Sequence, residues 1–123
     1  MGFLDDFVMR QIQQIADLVT AIASTPGDEL PEEVFQRIDD AYRGLGLDSD
    51  LVETLDAASL GTMLNSEQER DALVDLLCAH AEASVFSNDR AGATRRLERA
   101  IALMPEGDPR AEPATVRLLE LLG

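Results

Sequence analysis

His80 and Cys78 are the only histidine and the only cysteine in the 123-residue chain. A catalytic thiol needs an imidazole within hydrogen-bond reach. Two residues apart on a helix, these side chains point about 200° away from each other, so no Cys–His dyad is expected. His80 reads as a partly buried structural residue at a helix interface, and Cys78 as a small apolar filler. One cysteine also excludes an intrachain disulfide. The remaining chemistry would have to come from carboxylates. Asp48-Ser49-Asp50 with Glu53 begins like a calcium loop, but the other oxygen ligands and the central glycine are missing from the spacing. Helix capping accounts for Asp48 without a metal. Glu32-Glu33 and Asp39-Asp40 are neighbours in sequence and point apart on a helix, so a glycosidase-like acid pair is not expected. No lysine is present, which removes Schiff-base and phosphate-loop lysine chemistry. Neither a glycine-rich phosphate loop nor a G-x-S-x-G elbow occurs. The expectation is a chain with no catalytic, cofactor-binding or metal-binding residues, and not an enzyme.

The charge points the same way. Ten arginines face 24 acids, a net charge of −14. Such a potential repels nucleic acid and anionic lipid, so neither is an expected partner. The charge is uneven. Residues 28–65 hold two arginines and ten acids, whereas residues 90–123 hold six arginines and five acids. The arginine-rich end is expected to pair with the acidic part of its own chain; the alternative is recognition of an acidic partner. Met1 to Asp6 is acidic and lacks the basic start of a secretory signal. Asp6 stands where a myristoylation site wants Ser or Thr. No apolar run is long enough to span a bilayer. A cytoplasmic location is expected.

Apolar residues recur at three- and four-residue spacing almost throughout, which predicts helices. Residues 3–24 form the longest stripe, through Phe3, Phe7, Val8, Ile12, Ile15, Val19 and Ile22. Its apolar arc is wide enough for more than one neighbour, core or a second copy. Thr25-Pro26-Gly27 predicts a loop, and Pro31 a place in the first turn of a helix. That helix carries Val34, Phe35, Ile38, Ala41, Tyr42 and Leu45 and ends at Gly44 and Gly46. Short helices are predicted from Asp48 or Ser49 and over residues 57–64, where Gly61 weakens the second by about 1 kcal/mol. Ser66-Glu67-Gln68-Glu69 is a capping box. It opens a helix to about Phe86 whose face is Leu73, Val74, Leu77, Ala81 and Val85. A turn at residues 87–89 leads into a helix to about Met104. Pro105, Gly107 and Pro109 break the chain before a last helix with Pro113 in its first turn. No strand-like alternation is present.

The predicted hairpin carries a recognisable spacing. Ala93, Leu97, Ala100, Ile101, Leu103 and Pro105 follow a small–large–Ala–Pro pattern, in which small residues let two antiparallel helices approach and the proline stops the second. Residues 74–107 thereby resemble a single tetratricopeptide repeat. Leu77 and Ala81 fit the first helix, whereas His80 and Ser84 stand in place of the family's Leu and Tyr. The resemblance implies that the exposed side of the first helix binds a protein or peptide partner through Asp75, Cys78, Glu82, Val85 and Phe86. The family's carboxylate clamp needs Lys and Asn, and Cys78 and Glu82 stand there instead, so a basic ligand suits this face better. One repeat cannot bury its own faces. With no second copy in the chain, the hairpin must pack on the preceding helices or on another chain. The run from Asp6 to Gln14, with Gly46-Leu47-Asp48-Ser49, is similar to a family of small all-helical bacterial proteins without an assigned activity.

Together these features predict one all-α domain over residues 1–123, with about six to seven helices and no sheet. Residues 1–65 supply N-terminal helices; residues 66–123 supply the hairpin and a final helix. The expected role is a non-catalytic interaction or structural module, with a homodimer through helix 3–24 as one form of it. The alternative is a small-molecule sensor with an apolar pocket between helices.

Overall fold

A computed structural model describes residues 3–24, 32–64 and 66–123. Among them the chain is all-α, with seven helices and no strand. These are α1 (Phe3–Ser24), α2 (Glu32–Gly44), α3 (Ser49–Thr54), α4 (Ala57–Thr62), α5 (Glu67–Phe86), α6 (Arg90–Leu103) and α7 (Ala111–Leu122). The expected loop at Thr25-Pro26-Gly27 and the expected helix start at Pro31 lie outside the described residues, as do the side chains of Phe3, Phe7 and Val8.

Local capping chemistry sets most boundaries. Asp48 accepts from the Asp50 N–H at 2.9 Å and Asp56 accepts from the Ser59 N–H at 2.9 Å, opening α3 and α4. Ser66 Oγ accepts from the Glu69 N–H at 3.1 Å at the start of α5. α4 stops at Thr62 rather than running to Leu64, because Met63 closes it with bonds back to Leu60 and Gly61. α2 ends in a left-handed residue, Gly46 at φ +79°. The Gly46 N–H donates to the Arg43 carbonyl and the Leu47 N–H to the Tyr42 carbonyl, both at 2.9 Å. Leu47 is thereby folded back into the core, as this type of helix end favours. The same device, with Asn88 at φ +62°, turns α5 into α6. Asp89 donates to the Ser84 carbonyl at 2.8 Å, and its side chain caps α6 by accepting from the Gly92 N–H at 2.9 Å.

α5 is the central element. α1, α2 and α6 all pack against it. Leu73, Val74, Leu76, Leu77, Ala81 and Ala83 are fully buried, so α5 is apolar around most of its circumference rather than on the one face its spacing suggests. A helix enclosed on several sides needs such an arc. Ile15, Leu18 and Ile22 from α1 meet it together with Ile38 and Tyr42 from α2. Ala93 and Ala100 of α6 are also fully buried, with Leu97 between them, the close antiparallel packing their spacing predicts. α7 closes the far end against α6 through Ala114 and Leu121.

Candidate functional site

The helix geometry sends His80 and Cys78 into different surroundings. His80 faces α2, where its Nδ1 lies 2.8 Å from the hydroxyl of fully buried Tyr42. Burial holds the imidazole down to about 3, with Arg96 adding to the effect, so the ring is neutral. Burial likewise holds the Tyr42 phenol above its usual range. A protonated phenol beside a neutral imidazole means that Tyr42 donates and His80 Nδ1 accepts. One turn on, Ser84 Oγ donates to the His80 carbonyl and accepts from Arg96 Nη1, both at 2.7 Å. Arg96 Nη2 donates to Glu53 of α3 at 2.6 Å. Arg99 donates to the Glu53 and Leu55 carbonyls at 2.6 and 3.2 Å. His80 and Ser84, polar residues where the expected repeat spacing wants Leu and Tyr, are where the N-terminal helices lock onto the hairpin. Gly92 belongs to this cluster, because a Cβ there would collide with Asp89 and Arg96. The sequence reading placed Tyr42 in an apolar stripe and weighed Glu53 only as a metal ligand, and it missed their links to His80 and Arg96; His80 and Ser84, two polar residues in a buried pattern, were the signal that partners existed.

Cys78 faces the other way. It is half-buried, and burial, reinforced by Asp75, pushes its thiol up to about 11. It is protonated at neutral pH and a poor nucleophile. Asp75, Cys78 and Glu82, at i, i+3 and i+7, form a stripe along α5 between α1 and α7. On the α1 side the stripe borders a hollow of about 350 Å³ lined also by Val19, Ile22, Ala79 and Phe86. On the α7 side it borders one of about 380 Å³ lined also by Leu97, Pro109, Pro113 and Ala114, with Arg110 and Arg117 completing its rim. Both open to solvent. Of the five residues expected to meet a partner, Asp75, Cys78, Glu82 and Phe86 line this groove. Val85 packs instead with Ala81, Ala93 and Leu97 in the α5–α6–α7 core.

The groove's acids already have partners. Arg117 of α7 grips both oxygens of Glu82 at 2.8 and 3.0 Å and reaches Glu120 at 3.2 Å. Arg110 donates to Asp75 and Asp71 at 3.0 Å and to Asp108 at 2.6 Å. Its guanidinium holds the Asp108 carboxyl down to about 2. Five carboxylates therefore face two guanidiniums. The expected pairing of the arginine-rich end with earlier acids is present at Glu53, Asp71, Asp75 and Glu82.

The apolar stripe expected for an α1 dimer contact is spent inside the chain from Ile15 to Ile22. The large apolar side chains left exposed include Met9 on α1 and Val116, Leu119 and Leu122 on α7. Among the described residues no three His, Cys, Asp or Glu side chains are grouped to hold a metal ion, and no helix is long and apolar enough to cross a membrane. In comparisons with known proteins the chain matches no family model, no curated protein and no solved structure.

Proposed function

We propose that the chain is a non-catalytic interaction module that receives a segment of a partner protein in the groove along α5. One observation carries this: the Asp75-Cys78-Glu82 stripe lies open between α1 and α7, with an apolar hollow on each side. The two side chains that chemistry would need support a binding role rather than a catalytic one. His80 is neutral and already bonded to Tyr42, and Cys78 is a protonated thiol. The resemblance to a tetratricopeptide hairpin assigns the same face of α5 to partner binding.

The test is photo-cross-linking in the cells that make the protein, from a probe attached at Cys78 and, as a control, from one placed at exposed Arg43 on α2. Discrete adducts with a second protein are expected from position 78 and not from position 43. The same adducts from both positions, or none from position 78, would remove the groove as the docking site.

A further inference from the structure

We infer that the partner segment is an amphipathic α-helix of about three turns, carrying basic side chains two turns apart along one edge. The inference rests on the docking role proposed above. The groove runs along α5 from Asp75 to Phe86, eleven residues or about 16 Å at the helical rise. Its floor is α5 and its walls are α1 and α7. Helices satisfy their own backbone groups, so the groove offers no row of free N–H or C=O groups to an extended strand. An amphipathic helix satisfies its own backbone and presents one apolar face to such a trough. Ala79 and Cys78 are small and sit midway, leaving room on either side for aliphatic side chains.

The charge selects the partner's polar edge. Two carboxylate clusters stand along the α7 side of the trough, where arginines of α7 and its N-terminal end meet α5. Around Arg110 stand Asp71, Asp75 and Asp108; around Arg117 stand Glu82 and Glu120. The first cluster keeps two uncompensated negative charges and the second keeps one. Asp75 and Glu82 are seven residues apart, about 10.5 Å along α5. Basic residues at i and i+7 on a partner helix lie on one face at the same separation. They add to both clusters without displacing either arginine.

The probe is a synthetic amphipathic peptide of Leu, Ala and Gln, long enough for three to four turns, with two arginines seven residues apart. Sibling peptides carry Glu or Gln at the same two places. Fluorescence anisotropy is expected to rank the arginine peptide tightest, with affinity falling as salt rises. In an Asp75→Asn, Glu82→Gln double variant the arginine peptide should weaken about tenfold, with the Gln peptide unchanged. Both positions are partly exposed, and a thermal melt checks that the variant is folded. Equal affinity for all three peptides, or an unchanged affinity in the double variant, overturns the basic partner while leaving the groove as a docking surface. Binding by none of them overturns the helical partner as well. The cross-link from position 78, which assumes nothing about the partner's structure, then decides the docking role separately.

Discussion

His80 is the chain's only histidine, so stability near pH 6 reports on the burial of a single side chain. The folded protein holds its imidazole down to about 3, against 6.5 when unfolded. Between those values the unfolded chain binds the extra proton, so stability must fall as pH falls. The contribution is fully present above pH 6.5 and is lost progressively toward pH 3, at up to about 1.4 kcal/mol per pH unit. Carboxylates join below about pH 5, so the range from pH 6.5 to 5.5 isolates the histidine. Denaturant midpoints should decline across that range in the native protein and stay flat in a His80→Leu variant. The variant should also be less stable at pH 7 by about 1–3 kcal/mol, because the Tyr42 hydroxyl is left buried without a partner. A native midpoint that is flat from pH 6.5 to 5.5 would mean that His80 is not held neutral. His80's burial at a helix interface was legible from its place on the hairpin. Its bond to Tyr42 was not, since 38 residues separate them and no local spacing links the two.

The hairpin's second helix is the element whose sequence spoke most clearly. Ala93, Leu97 and Ala100 are all inside, as small–large–small spacing between antiparallel helices requires. Ala100→Asp should therefore cost about 3 kcal/mol or more, by burying an unpaired charge where the two helices touch. Leu119→Asp, on the exposed side of α7, should change stability by no more than about 0.5 kcal/mol. Chemical denaturation of the two variants separates them; comparable costs would contradict the packing. α5 was harder to read. Its spacing suggested one apolar face, yet it is enclosed by α1, α2 and α6 and buries Ala72, Leu76, Ala79 and Ala83 as well. Alanines on a helix give little periodic signal, because they suit the surface and the core alike. The polar lock at Ser84, Arg96 and Glu53 is no simple gain either: Arg96 Nε is buried there without a hydrogen-bond partner, and such a group costs stability. Its effect is to fix α3 against one register of the hairpin.

Across the whole molecule the acids outnumber the arginines, and the surplus repels itself. Among the described residues most of the ion pairs between side chains are partly exposed, and pairs of that kind contribute only about 0–1 kcal/mol each. Screening should therefore help more than it harms. Raising ionic strength from about 0.01 M to about 1 M shortens the Debye length from about 30 Å to about 3 Å, and the melting temperature is expected to rise. A steady fall would mean that the arginine pairs outweigh the net charge of −14. The helical class and the α5–α6 hairpin were legible at this scale, because periodicity and caps are local. The groove was legible only in part. Asp75, Cys78, Glu82 and Phe86 came from one face of one helix, but both walls come from elements distant in sequence. Arg110 and Arg117 pair with acids of that face from a helix more than twenty residues further on, and no local spacing shows it. The most direct measurement of the docking role uses the one native thiol. Labelling of Cys78 by a small maleimide, at matched pH and protein concentration, compares the purified protein with the protein inside the cells that make it. Slower labelling in the cell, restored on purification, is expected if a partner lies in the groove; equal labelling in both would contradict it.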